Sequence, residues 1–273
     1  MANKTNVRPA EKRPQKTRLD QLLVERGLAA SRERARSLIL AGRVLVREQK
    51  IDKPGTSIAV DSPVRLLGSD LRYVSRGGLK LEAALNHWQI DVTGRACIDV
   101  GASTGGFTDC LLQHGSAHVT AIDTGFGQID MKLRNDPRVG LLERTNARLL
   151  KPDSLAATPM HTDFTLLVVD VAFISATLVL PAVMAAAPSL IEAVILVKPQ
   201  FEAGREHVGK GGIVRDPDAH QLAIDKVAAC VRSLGWTVVE TIPSPITGVE
   251  GNREFLLYAR RSLSVAQEQK AGK

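Results

Sequence analysis

At 273 residues, with 44% apolar side chains and only 4% aromatic, the chain suits one large aliphatic-packed domain or a large domain with a small one. Its three cysteines, Cys97, Cys110 and Cys230, are widely spaced with no C-x-x-C pair, which excludes a thiolate zinc site and a disulfide framework and fits a reducing compartment. The net charge of +7 is segregated: residues 1–66 hold fifteen Lys/Arg against seven Asp/Glu, and residues 67–273 hold twenty-one against twenty-two, so the whole excess sits on the N-terminal quarter as it does in polyanion-binding modules.

Residues 1–17 are basic and polar with almost no large apolar side chain, and a flexible tail is expected there. They carry no secretory pattern, so a cytoplasmic protein is expected. Leu19, Leu22 and Leu23 then predict an amphipathic helix ending near Gly27, with Leu28 packed just past its end. Ser31 is the predicted N-cap of a second helix, with Ala35, Leu38, Ile39 and Leu40 on its buried side and Arg32, Arg34 and Arg36 near its start. Ala41-Gly42 ends that helix. Val44-Leu45-Val46 reads as a short strand, Asp52-Lys53-Pro54-Gly55 as a turn, and residues 58–60 and 64–67 carry further strand signal. The result is a compact α+β unit over 18–67, in which Arg32, Arg34, Arg36 and Arg43 can clamp phosphates without reading bases.

Residues 68–79 are expected to be a linker, running into a helix that continues through Ala84 and Leu85. Gly77-Gly78-Leu79-Lys80 is not a Walker loop, because the first glycine and the Ser/Thr after the lysine are missing. Beyond residue 96 the pattern alternates. Strands are expected at 97–100, 118–122, 140–142, 165–170, 192–197, 236–241 and 254–259, and helices at 105–114, 127–134, 175–187 and 217–234. Such alternation predicts a mostly parallel, Rossmann-like α/β sheet covered on both faces. Residues 171–191 lack charge and are long enough to span a bilayer. Pro181, Pro188 and the strand-like run before them instead predict a buried strand followed by a buried helix, without membrane association. A second tail is expected over 263–273.

The densest chemistry lies in Cys97-Ile98-Asp99-Val100-Gly101-Ala102-Ser103-Thr104-Gly105-Gly106-Phe107-Thr108: a strand, a glycine-rich turn and a helix start. Its glycines depart from the dinucleotide spacing G-x-G-x-x-G, and an acid, Asp99, stands inside the motif. Bare backbone N–H groups at a helix start favour anions. A carboxylate beside the turn suits a ligand with positive charge and hydroxyls, such as S-adenosylmethionine. The bland alternative is an ordinary glycine-rich turn. Asp123 ends the next strand, where a doubly wound fold holds ribose hydroxyls, of NAD and of S-adenosylmethionine alike. Asn146, after the third strand, is a candidate contact to the base. Leu166-Leu167-Val168-Val169-Asp170 and Ile195-Leu196-Val197-Lys198 deliver an aspartate and a lysine to the carboxyl edge of the sheet, where ligands bind in such folds. A lysine there needs a partner, and Asp170 is its natural one; a purely structural ion pair is the alternative. His87, His114, His118, His161, His207 and His220 show no metal-ligand spacing, so no metal site is expected.

Two resemblances add to this reading. Arg18-Leu19-Asp20, Ser31-Arg32, Ala35-Arg36 and Ala41-Gly42-Arg43-Val44-Leu45-Val46 resemble the S4 RNA-binding domain, which implies that Arg18, Arg32, Arg34, Arg36 and Arg43 face RNA. Ser75-Arg76-Gly77-Gly78-Leu79-Lys80-Leu81, the Asp99–Thr108 motif, Glu143-Arg144-Thr145-Asn146-Ala147-Arg148, Val197-Lys198-Pro199-Gln200-Phe201-Glu202 and Gly251-Asn252-Arg253-Glu254-Phe255 together resemble the TlyA family. These are S4-containing ribosomal RNA 2′-O-methyltransferases, some also labelled hemolysins, with a catalytic domain similar to FtsJ-type RNA methyltransferases. The resemblance, which runs from about residue 18 to 260, implies a catalytic tetrad of Lys80, Asp170, Lys198 and Glu254 in a domain over 80–262. It implies S-adenosylmethionine as cofactor, held by Asp99, Gly101, Ala102, Ser103, Thr104, Gly105, Gly106, Phe107, Asp123, Asn146 and Asp170. Its implied partner is ribosomal RNA or a ribosomal subunit, the target a cytidine of 23S rRNA with 16S rRNA as a second. Two other functions compete. One is a non-catalytic RNA-binding assembly protein. The other is a membrane-active hemolysin, which needs a span or a long basic amphipathic helix, and neither is clear in the sequence.

Overall fold

The computed structural model describes residues 15–29, 31–67, 72–156, 163–248 and 251–261. The chain divides near residue 70 into two compact units. The tail expected over 263–273 and most of the one expected over 1–17 lie outside the described residues.

The N-terminal unit is built from β1 (Lys16–Arg18), α1 (Leu19–Glu25), α2 (Arg32–Leu40), β2 (Val44–Val46), β3 (Gln49–Ile51), β4 (Ser57–Ala59) and β5 (Val64–Leu66). Lys16 and Thr17, read as tail, are strand residues: β1 pairs antiparallel with β4. β2 is the centre of a three-stranded antiparallel sheet between β3 and β5. The leucines of α1 fold onto α2 and β2 in a core of Leu19, Leu23, Ala35, Leu38, Ile39, Val44 and Val46. Ser31 caps α2, its Oγ accepting the Arg34 N–H at 3.1 Å. Leu40, expected on the buried side, is 66% exposed, because it falls in the last turn beyond the stripe defined by Ala35, Leu38 and Ile39. β3 escaped the sequence reading for a conformational reason. Its hairpin turn is Arg47-Glu48, both left-handed (φ 51° and 62°), where glycine or asparagine is the usual signal.

The larger unit contains α3 (Gly77–His87), β6 (Ala96–Val100), α4 (Gly106–Gln113), β7 (His118–Ile122), α5 (Met131–Arg134), β8 (Val139–Leu142), α6 (Pro152–Ala156), β9 (Leu166–Val169), α7 (Leu180–Ala186), β10 (Glu192–Val197), α8 (Pro199–Glu202), α9 (Pro217–Ser233), β11 (Trp236–Pro243) and β12 (Phe255–Arg261). Tyr73, inside the expected link, is buried in this unit's core, and α3 begins at Gly77.

The seven strands run in the order β11-β12-β10-β9-β6-β7-β8. All are parallel except β12, which is antiparallel to both neighbours. Alternate residues of each strand feed two cores, one per face. Ile98, Val100, Leu167 and Val169 pack with α7 and α9, while Cys97, Val119, Leu166 and Val168 pack with α3 and α4. The mostly parallel sheet covered on both faces is thus the observed one. The helix expected over 127–134 forms only at 131–134, where Asp130 accepts the Lys132 N–H at 2.9 Å; the left-handed Gly127 (φ 68°) keeps the preceding segment out of the helix. The helix expected over 175–187 splits into a 3₁₀ turn at Ala176–Leu178 and α7. Among the described residues no helix is long and apolar enough to cross a membrane.

Candidate active site

The chain order reverses across β6, whose neighbours are β7 on one side and β9 on the other, and ligands of doubly wound sheets bind at such a switch. The turn after β6 is shaped by close backbone approach. Gly101 is left-handed (φ 84°), and a Cβ there would lie 2.5 Å from the Asp170 carbonyl oxygen. Gly105 (φ 96°) caps α4, and a Cβ on Gly106 would sit 3.0 Å from the Gly78 nitrogen of α3. The exposed Ser103 is left-handed too (φ 49°).

Asp123 takes the Ser103 N–H on Oδ2 at 2.8 Å and the Gly125 N–H on Oδ1 at 2.7 Å. This anchors the glycine turn to the end of β7 and leaves lone pairs on both oxygens. Ala102, Ser103 and Asp123 line a cleft with Ala121, Gly125, Gln128, Ile129, Leu141 and Glu143. Apolar walls with a carboxylate at the rim suit a nucleoside. Gln128, Ile129, Leu141 and Glu143 were not foreseen. They come from an irregular loop and a strand whose contribution depends on where β8 lies in the sheet. Glu143 accepts the Gly127 N–H at 2.7 Å and pairs with Arg134 at 2.5 Å; the guanidinium, with that N–H, holds its carboxyl below the usual range.

The other residues expected at the cofactor differ in their surroundings. Asp99 is fully buried beneath the turn, where Oδ2 accepts the Thr108 hydroxyl at 2.6 Å and Oδ1 has no partner among the described residues. Burial, opposed by that hydroxyl, pushes its carboxyl up to about 7. Phe107 is core. Thr104 is exposed, and its carbonyl accepts the Asp130 N–H at 3.2 Å. Asn146 is exposed and caps a 3₁₀ turn, its Oδ1 accepting the Arg148 N–H at 3.1 Å.

The four ionisable residues form two ion pairs. Lys198 Nζ lies 2.6 Å from Asp170 Oδ1, and Lys80 Nζ lies 2.5 Å from Glu254 Oε2. Strand register explains the convergence. Val197 pairs with Phe255 and Ile195 with Val169, so the residues just past β10 and β9 and just before β12 leave the same edge side by side. Lys80 reaches that edge from the first turn of α3. Lys80 and Glu254 are buried, and Lys198 and Asp170 are largely so, at 12% and 20% exposure. Phe173, unremarked in the sequence, is 91% exposed on this edge in a left-handed conformation (φ 66°). Its ring centroid lies 5.6 Å from that of Phe201, and an open aromatic face of this kind can stack a nucleobase.

In the N-terminal unit, buried Asp20 organises two of the arginines. Arg18 grips it through two bonds of 2.9 and 2.8 Å, and Arg32 Nε donates at 3.2 Å. These bonds, led by that from Arg18, hold the Asp20 carboxyl down at about 2. Arg18 and Arg32 remain 49% and 59% exposed, and Arg36 is exposed. Arg34 and Arg43 are half-buried, with Arg43 Nε donating to the Leu67 carbonyl at 3.0 Å.

Fold and site thus define a methyltransferase-type α/β domain joined to a small basic module, and comparison with known proteins agrees. The FtsJ-like methyltransferase model matches residues 73–261, and the S4 domain model matches residues 17–62. The chain is 45% identical over 246 residues to the 16S/23S rRNA (cytidine-2′-O)-methyltransferase TlyA of Mycobacterium tuberculosis, covering 90% of each chain. It is 39% identical over 243 residues to Hemolysin A of Brachyspira hyodysenteriae, covering 88% of this chain and 98% of that one. The solved structure of a candidate hemolysin from Streptococcus thermophilus superposes with a TM-score of 0.69 at 40% identity, covering 94% of this chain and 96% of that one. The chain belongs to the TlyA family of S4-containing, FtsJ-like methyltransferases.

Proposed function

We propose that this protein transfers a methyl group from S-adenosylmethionine to a ribose 2′-hydroxyl of ribosomal RNA, on a cytidine of 23S rRNA and secondarily of 16S rRNA. The observation that carries the reading is the pairing of Lys198 with Asp170 at 2.6 Å at the carboxyl edge where β9 and β10 end, with the Asp123-rimmed cleft across β6 on the same sheet. The residues present fit the cofactor. Asp123 retains lone pairs for ribose hydroxyls, Ala121, Ile129 and Leu141 offer apolar walls for an adenine, and the Gly101 turn leaves no room for a side chain. When bound, S-adenosylmethionine supplies an electrophilic methyl carried on a sulfonium.

The chain's own residues do the rest. A ribose hydroxyl is a poor nucleophile, and holding it in line with the methyl accounts for much of the barrier reduction. Lys198 is placed to orient that hydroxyl or to take its proton, and Asp170 fixes the lysine's direction. Lys80 and Glu254, paired and buried, hold α3 against β12 behind them and keep a fixed charge pattern at the edge. Asp99, beneath the turn, braces the start of α4 through Thr108. In the S4 unit, Arg18, Arg32, Arg34, Arg36 and Arg43 would contact phosphates, which position RNA without specifying sequence. A ribosomal RNA substrate would put the protein where ribosomes are, in the cytoplasm.

The test is transfer of labelled methyl to purified large subunits, small subunits and naked rRNA, with the product mapped. Lys198→Ala is expected to abolish transfer while RNA binding and fold persist. Turnover near that of the wild type in this variant would remove the tetrad assignment. The intact ion pairs favour catalysis over a scaffold role. A membrane-active role predicts leakage from liposomes exposed to the pure protein.

A further inference from the structure

The stretch Val197-Lys198-Pro199-Gln200-Phe201-Glu202 contributes Lys198 to the site, but its last residue is the most constrained. Glu202 ends α8, four residues after Lys198, and is 3% exposed. It reaches across to the segment that follows β9. Oε1 accepts the Ala176 N–H at 2.7 Å and Oε2 accepts the Ser175 hydroxyl at 2.5 Å. From α9, Lys226 Nζ stands 3.6 Å from Oε2 and donates to the Glu202 carbonyl at 2.8 Å. A buried carboxylate is costly unless so satisfied, and burial pushes this one above the ordinary range against the pull of its partners.

The segment it grips is the one that carries Asp170. Asp170 leaves the end of β9, and five residues later Ser175 starts the 3₁₀ turn that Glu202 holds. On the other flank the Asp170 backbone rests against Gly101. The segments after β9 and β10 are therefore joined twice: at the reacting edge by Asp170 and Lys198, and behind it by Glu202. Phe173 and Phe201, whose rings touch, ride on the same two segments.

We propose that Glu202 is a positioning residue for methyl transfer, a clamp that sets the Asp170 segment against the Lys198 segment so that the aspartate holds the lysine in its working direction. This rests on the proposed function and assigns a role to a residue that touches neither cofactor nor substrate. Glu202 acts through Ser175 and Ala176, so the clamp's effect falls on geometry at the edge and leaves the Asp123 cleft on the opposite side of β6 untouched.

The test uses the full-length protein, labelled S-adenosylmethionine and ribosomal subunits. Glu202→Gln keeps the side-chain shape but loses the negative charge and one acceptor. It is expected to lower kcat about 100-fold, the scale for misplacing reacting groups by about 1 Å, with KM for S-adenosylmethionine and the melting temperature little changed. Ser175→Ala removes one leg of the clamp and leaves the Lys226 pair intact, and is expected to lower kcat about 10-fold. The double variant should be no slower than Glu202→Gln alone, because both act through one contact. Wild-type kcat in either single variant overturns the clamp, as does a kcat loss that tracks equal losses in cofactor KM and melting temperature, or strict additivity in the double variant. If Glu202→Gln does not fold, Ser175→Ala alone decides, by the same split between kcat and KM. Absence of transfer by the wild-type protein overturns the function itself and the clamp with it, and so is distinguishable from failure of the clamp alone.

Discussion

Replacing Gly101 with alanine tests whether the reacting edge is limited by backbone placement. The added Cβ would lie 2.5 Å from the Asp170 oxygen and 2.8 Å from its carbonyl carbon. Both are backbone atoms that cannot rotate away. Opening the shorter gap to the 3.4 Å of ordinary contact displaces the start of the post-β9 segment by about 0.9 Å. Asp170 lies in that segment, 2.6 Å from Lys198, so a shift of this size breaks or redirects the pair. The rate cost of such a displacement is about 100-fold. The left-handed backbone adds about 1–2 kcal/mol of destabilisation for a residue with a Cβ. Gly94→Ala separates the two effects. Gly94 is also left-handed (φ 70°), but a Cβ there meets nothing within 4 Å, so that variant should lose stability and retain turnover. The assay is the initial rate of methyl transfer to ribosomal subunits beside thermal melts of both variants. If Gly101→Ala turns over as fast as Gly94→Ala, the contact between the glycine turn and Asp170 does not set the rate.

Asp123→Ala should weaken S-adenosylmethionine binding in isothermal titration and free the Ser103 and Gly125 N–H groups that the carboxylate holds; tighter binding of NAD than of S-adenosylmethionine by the parent protein would contradict the cofactor. Arg32→Ala with Arg36→Ala should weaken binding to an rRNA fragment and lower the slope of log affinity against log salt by about one unit per lost phosphate contact; an unchanged slope counts against phosphate contact by these side chains. Asp20 has a depressed folded-state pKa of about 2. Its stabilising contribution, at most about 2.5 kcal/mol and reduced by solvent around the two arginines, is therefore present above the unfolded value near 4 and lost as pH falls toward 2. Amide exchange in α1 should rise over that window, relative to its intrinsic rate, in the parent protein and not in Asp20→Asn.

The sequence by itself determined the elements whose signal is local. The apolar runs at 118–122 and 192–197 are strands at those residues. Ser31 caps the helix it precedes, and the acid at the end of β7 sits at the cleft. The segregation of positive charge and the motif order also lay in the sequence and carried the family resemblance. What tertiary structure decided is whatever depends on two distant stretches meeting. Lys80 and Glu254 pair across 174 residues, and no periodicity links them; α3 packed against the start of the antiparallel β12 brings them together. The glycine turn marks Asp99 in the sequence, and only its position on a central strand shows that it is buried under that turn. Leu141 became a cleft wall only because β8 lies beside β7, and Gln128 and Ile129 only because the irregular loop after β7 folds over the same cleft. Glu202 read as the end of a motif, and only the fold shows its carboxylate gripping the segment after the neighbouring strand. Hydrophobic periodicity encodes which face of an element is buried. Strand order, register and close backbone approach decide which charged side chains end within hydrogen-bonding distance, and these are settled by packing the whole sheet.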